Sequence, residues 1–245
     1  MIPASGEAAA PQRSGRISRA GSPTIRRKVS VSSPTKATSS KRPTSAGSKG
    51  TGTSRQRSRS SDISAHLLDA ALSILASDGV DAITVRNVAA HAGVAPAGVY
   101  SRFDGKPGLL DALLSQGFDS LHESLTAASG PNARARLMTG CAAYRAFALD
   151  HPEHYQLMFD HKRAIAMSEN AYARAEAAFG ELVTRVTDAQ DAEVLASGQP
   201  IDIAQQIWSA LHGAVSFELN GIGFADDPES VYDAMVQAML RGLSA

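Results

Sequence analysis

Residues 83 to 114, ITVRNVAAHAGVAPAGVYSRFDGKPGLLDALL, leave room for little besides two short helices joined by a tight corner, with a third helix directly behind. Thr84 is placed to cap a helix through Val85, Val88 and Ala89, and Asn87 occupies the third helical position, from which a polar side chain can reach back to the cap. Gly93 suits the left-handed conformation that ends a helix without steric cost. Pro96 falls where the first turn of the next helix tolerates a missing N–H. A glycine-containing corner this short is the helix-turn-helix pattern, whose second helix lies in the major groove of DNA.

On that second helix Val94, Val99 and Phe103 fall at inward-facing spacings, which leaves Pro96, Ala97, Gly98, Tyr100, Ser101 and Arg102 for the groove and its phosphates. Ala95 stands at the leading edge, a poor N-cap worth about 1 kcal/mol less than Ser. Thr84, Arg86 and Lys106 complete the candidate contacts, and Arg86 and Arg102 are the two that could address a guanine edge. The face offers few polar groups, so its specificity is expected to rest on these arginines, on methyl contacts and on DNA shape.

The run TVRNVAAHAGVAPAGVYSRFDGKPGLL resembles the DNA-binding domain of the TetR family of bacterial transcription regulators. The likeness extends from Asp62 to Leu114. It rests on Thr84, Gly93, the aromatic pair Tyr100 and Phe103, and the helix opening from Lys106 to Leu110. The family usually carries Ser or Thr at Ala95 and often Gly at Ala97, so this chain lacks one hydroxyl that could touch a phosphate. Two later stretches, YRAFALDHPEHYQLMF (Tyr144 to Phe159) and WSALHGAVSFELNG (Trp208 to Gly221), resemble the C-terminal domain of a TetR subgroup with a Trp-His-Gly signature. The resemblance implies a ligand-responsive repressor that binds a palindromic double-stranded operator as a homodimer. A small molecule filling the C-terminal domain would release the DNA, through the helix that follows the reader.

Composition divides the chain. Met1 to Ser60 holds 13 Lys and Arg against the single acid Glu7, with 14 Ser, 6 Thr, 6 Gly and 5 Pro, whereas Ser61 to Ala245 holds 11 basic residues against 23 acids. The formal net charge of zero therefore conceals a basic tail and an acidic body. With almost no large apolar residues the tail is expected to be disordered. Three readings of it stay open: phosphate neutralisation beside the reader, where Arg55 to Ser60 ends at the first helix; a stretch ahead of the true translation start; or a targeting peptide. The body is expected to be all-α, with the DNA-binding domain at 61–106 and a helical ligand-binding and dimerisation domain at 107–245. No run reaches the ~18 apolar residues that span a membrane, and no apolar leader follows Met1, so a cytoplasmic protein is expected.

The apolar periodicity predicts a first helix from Ser61 or Asp62 to Asp78, a fourth from Lys106 to the break at Ser129-Gly130-Pro131, and a fifth from Asn132 to Asp150. A short sixth follows from Pro152 to near Phe159, and a seventh from Ser168 to Thr187. Asp188 to Pro200 reads as a loop. The penultimate helix carries one stripe of Ile203, Ile207, Ala210, Leu211 and Ala214 and a second of Trp208, His212, Val215 and Leu219. The last carries Val231, Met235, Ala238 and Met239. So wide an apolar arc leaves a face for a partner, and a homodimer through the last two helices is expected.

Tyr144, Phe147, Met158, Trp208 and His212 are the candidate pocket residues for a small apolar or amphipathic effector, although each also suits a core. His151, Glu153, His154 and His161 include zinc-ligand types but straddle a helix start, and read as a capped surface corner with no metal. Cys141, the lone cysteine, is expected to be a buried structural thiol. The chain shows no nucleophile-base-orienter set and no phosphate-cradling glycine loop, so neither catalytic residues nor a cofactor are expected. Two rival functions remain: a metal-dependent enzyme in the C-terminal domain, and nonspecific DNA binding driven by the tail.

Overall fold

A computed structural model of the protein describes residues 52–159 and 167–244. In order along the chain come α1 (Gly52–Asp78), a 3-10 turn (Val80–Ala82), α2 (Val85–His91), α3 (Pro96–Phe103), α4 (Lys106–Ala127), α5 (Ala133–Asp150), α6 (Pro152–Phe159), α7 (Glu169–Asp191), α8 (Pro200–Leu219) and α9 (Pro228–Gly242). The described residues contain no strand, as the sequence predicts. None of their helices is long and apolar enough to cross a membrane.

Local chemistry sets most of the boundaries. Thr84, Asn132, Ser168 and Asp227 each cap a helix by accepting from the backbone N–H three residues on. Proline opens α3, α4, α8 and α9. Gly93, at φ 66°, closes α2 with a pair of bonds, Val94 N–H to Ala89 O at 2.9 Å and Gly93 N–H to Ala90 O at 3.2 Å. Asn87 does not reach back to the cap as expected; its Nδ2 donates to the Ala82 carbonyl at 2.9 Å and ties α2 to the preceding turn instead.

Three elements differ from the sequence expectation. Helix α1 begins at Gly52, so residues 52–60 of the supposed disordered tail are helical. Arg and Gln are good helix formers, and extending a nucleated helix costs far less than starting one. The rest of the tail lies outside the described residues. Helix α7 continues past Thr187 to Asp191 and ends with the same two-bond pattern as α2, but with Glu193 rather than glycine in the left-handed position, at φ 55°. Buried Ala189 and Leu195 hold that corner, so no glycine advertises it. On α9 the core face is Tyr232, Val236 and Leu240, and Val231 and Ala238 point outward. Tyr232 is inward because its hydroxyl donates to the Cys141 carbonyl at 2.7 Å.

Two hydrophobic cores result. The first joins α1, α2, α3 and the first half of α4 around Leu67, Ile83, Val88, Val99, Leu109 and Leu113, and takes Phe118 and Leu157 as well. The second joins the last turns of α4 to α5, α7, α8 and α9 around Leu121, Leu137, Val186, Ile207, Leu211 and Leu240. Met158 and Phe159 of α6 pack against both.

Polar contacts fasten α7 along α4 in parallel. The Asp111 carboxylate accepts from the Ser168 N–H and hydroxyl, each at 2.7 Å, and Asp119 pairs with Arg174. Farther along, the buried Arg185 guanidinium donates to the Leu125 carbonyl, to Ala128 O at 2.9 Å and to Arg136 O at 2.7 Å. It thus satisfies carbonyls that the end of α4 would otherwise leave orphaned. Arg145 makes a two-pronged pair with Glu218, at 2.9 and 2.7 Å, joining α5 to α8.

The glycines separate close approach from open space. A Cβ on Gly108 would lie 1.8 Å from the Phe103 carbonyl oxygen, so α4 abuts α3 there through backbone alone, while a Cβ on Gly180 meets nothing within 4 Å. Gly108→Ala is therefore expected to destabilise the fold by about 2 kcal/mol or more, and Gly180→Ala to stabilise it by roughly 0.5–1 kcal/mol through helix propensity. Thermal melts of the two variants check this opposition of sign.

Candidate nucleic-acid interface and effector cavity

The reader is built from α2 and α3 across the four-residue corner Ala92 to Ala95. Val99 is fully buried and Val94 and Phe103 are partly so, while Ala95, Pro96, Ala97, Tyr100 and Ser101 are exposed and Gly98 is half-buried. Inward and outward faces therefore fall as the spacing predicts. No side chain caps α3, but Pro96 brings no N–H and the Gly98 N–H donates to Ala95 O at 2.8 Å, so the start of α3 offers an anion little beyond the Ala97 N–H. Tyr100 is 59% exposed, and its ring lies against Gly105, where an added Cβ would stand 3.4 Å from Cε1.

The structure distinguishes among the cations. Arg86 and Thr84 are exposed on and beside α2, on the side of the reader that remains outside the core. Arg102 is folded back along its own helix, with one terminal nitrogen donating to Gly98 O at 3.2 Å and to Ser101 Oγ at 3.1 Å. Lys106 is half-buried, and its Nζ donates to Val80 O at 3.1 Å, fastening the start of α4 to the 3-10 turn. Sequence spacing could not show these internal engagements, because two of the three partners, Gly98 O and Val80 O, are backbone carbonyls. Arg86→Ala and Tyr100→Phe are accordingly expected to weaken DNA binding by about 1–3 kcal/mol for Arg86 and less for Tyr100, with no change in melting temperature. Lys106→Met is expected to lower the melting temperature as well, and binding isotherms paired with melts separate the two behaviours.

Behind α4 lies a cavity of about 440 Å³, walled by α4 to α8. Tyr144, Met158 and Trp208 are among its lining residues, with Phe118, Phe159, Phe179 and Leu182. Phe147 is not. It is 2% exposed and packs against the His151 ring at 5.4 Å. His212 is one layer removed from the wall, bonded to it rather than part of it. Trp208 Nε1–H donates to Tyr144 Oη at 3.2 Å, Tyr144 Oη stands 3.3 Å from Tyr155 Oη, and Tyr155 Oη stands 2.7 Å from His212 Nδ1. Burial pushes the Tyr144 phenol up to about 12 and Tyr155 higher still, so both stay neutral. The network adds a polar interior edge to a mainly apolar wall that also carries Glu176, Arg185 and Gln205, and Met167 and Tyr172 form an exposed rim.

Cys141 also borders this cavity, and burial pushes its thiol up to about 12, the state of an inert structural cysteine. Residues that sequence reasoning missed include Tyr155, Arg185 and the Arg145–Glu218 pair. Their partners lie in distant helices, and two of Arg185's are main-chain carbonyls of α4. His151, Glu153 and His154 do come together, but not as a surface corner, since His154 is buried against α4. His161 lies outside the described residues.

A three-helix reader set on a larger helical body with its own cavity defines a DNA-binding transcription regulator of the helix-turn-helix class. Residues 67–113 match the family described as bacterial regulatory proteins, tetR family, and residues 137–242 match the tetracyclin repressor-like C-terminal domain. A solved protein of unknown function from Rhodococcus sp. RHA1 is 32% identical, with a TM-score of 0.69 over 75% of this chain and 96% of that one. An uncharacterized HTH-type transcriptional regulator of Mycobacterium tuberculosis is 25% identical over 178 residues, 72% of this chain and 79% of its own length. A bacterial regulatory protein in the tetR family from Rhodococcus RHA1 shares the fold, at 22% identity and a TM-score of 0.60 over 75% of this chain and 97% of that one. The chain belongs to the TetR family of transcription regulators.

Proposed function

We propose that the protein is a homodimeric repressor whose paired readers hold a palindromic operator until a small, largely apolar effector enters the cavity behind α4. The observation that carries this reading is the position of the cavity. Its wall includes Phe118 and Leu121, neighbours on α4 that belong to different cores, so an occupant bears on the helix where reader and body divide. The effector would act by favouring the arrangement in which two readers no longer match successive major grooves roughly 34–36 Å apart.

Dimerisation is supported by where apolar surface is left over. Of the large exposed hydrophobics among the described residues, Ile201, Phe217, Ile222, Phe224 and Val231 all lie on α8, α9 or the segment between them. Gly213 stands on α8 with open space where a Cβ would be, room for a helix of a second copy to approach closely. A self-complementary patch of this kind is buried most simply by two-fold pairing into a four-helix interface. Phe217→Glu with Val231→Glu is expected to convert the dimer to a monomer in sedimentation velocity and to abolish tight binding to a palindrome. A variant that remained a dimer would place the interface elsewhere. Trp208, the single tryptophan, lines the cavity, so its emission is expected to change with any compound that releases DNA.

The basic extension fits a supporting role. Arg55, Arg57 and Arg59 fall in the helical part of α1 ahead of the reader core, on a chain whose body is acidic. Replacing all three with Gln is expected to leave sequence preference intact and to reduce the salt slope of binding by about 0.9 for each arginine that meets a phosphate. Loss of all DNA binding in that variant would favour a tail-driven, nonspecific protein instead.

A further inference from the structure

We propose that His151, Glu153 and His154 form a three-donor site for a divalent transition ion, best matched by zinc, at the corner between α5 and α6. His151 closes α5 and Pro152 opens α6, so one turn of chain presents two imidazoles and a carboxylate. A ligating atom from each lies within 4.8 Å of the others. Tetrahedral zinc, with bonds of about 2.0–2.1 Å, sets its donors roughly 3.4 Å apart. The remaining closure falls on His151, which is exposed, and on Glu153, which is half-exposed, so no buried side chain has to move.

A second observation points to a ligand. His154 is 5% exposed, yet neither of its ring nitrogens has a hydrogen-bond partner. The nearest carboxylate oxygen, Glu153 Oε1, stands 3.8 Å from Nδ1, too far for a hydrogen bond but within reach of a shared ion. A buried polar atom left without a partner is destabilising, and a metal bond would satisfy one of the two nitrogens.

Packing and charge favour the same occupant. Gly117 of α4 makes room for the ring: a Cβ there would stand 3.2 Å from His154 Cδ2 and 2.8 Å from Met158 Sδ. The donor nearest α4 is thus pre-set by the core. The carbonyl end of α5 lies at this corner with Asp150, and no Lys or Arg occurs between Asp150 and Phe159. Two imidazoles and one carboxylate suit zinc, cobalt or nickel rather than magnesium or calcium, and leave a coordination position for water. Because His154 rests on α4, an ion would brace α6 against the helix that leads to the reader.

The test uses the full chain, stripped with a chelator and titrated with Zn²⁺ by calorimetry and with Co²⁺ by visible absorption. One equivalent per protomer is expected, with tetrahedral Co²⁺ bands and a rise in melting temperature. His151→Ala is expected to weaken binding roughly tenfold or more, read by calorimetry at a temperature where the variant is folded, since its ring also packs on Phe147. Glu153→Gln is expected to do the same. The proposal is overturned if the stripped protein binds neither ion, or if both variants bind as the wild type does.

Discussion

Helix α4 is shared between two hydrophobic cores, and the rest of the molecule is arranged around that division. Its Leu109, Leu110, Leu113, Leu114 and Phe118 close the reader, and its Leu121 and Leu125 close the body. Side chains packed at interior density cannot absorb a shift by compressing, so a displacement of one end of α4 reaches the other. Polar contacts tie α7 to α4 along its length: Asp111 holds Ser168, Asp119 holds Arg174, and Arg185 holds the last carbonyls. At the reader end the backbone contact between Gly108 and Phe103 leaves no side chain to cushion the joint. This contiguous path from cavity wall to α3 is the physical content of the repressor reading.

The reader itself is economical. With Arg102 turned back on Gly98 and Lys106 engaged with Val80, most of the cationic reach on this face falls to Arg86, with Tyr100 beside it. Phosphate contacts fix register, and base contacts and shape carry sequence.

Much of this was legible in the sequence because it depends on neighbours in the chain. Thr84, Asn132, Ser168, Gly93 and the opening prolines act within a turn of themselves, and the corner and its faces followed from them. What was not legible depends on partners far along the chain or on an unusual backbone choice. Glu193 in a left-handed position hid the end of α7, and Tyr232 on α9 turned inward for the carbonyl of Cys141. Phe147 and His212 have the right residue types for a pocket but stand one layer from it, and Tyr155, which completes the polar chain, gave no sign of its role. The HPEH corner was misplaced for the same reason, since the room for the His154 ring is made by Gly117 on another helix.

The measurement that bears most directly on a paired, sequence-reading regulator is a hydroxyl-radical footprint of the full chain on the DNA upstream of its own coding region, at physiological salt. The account predicts protection of two symmetry-related segments whose centres lie about one helical turn or a whole multiple of it apart. Uniform protection without a preferred site, falling away smoothly as salt is raised, would contradict it.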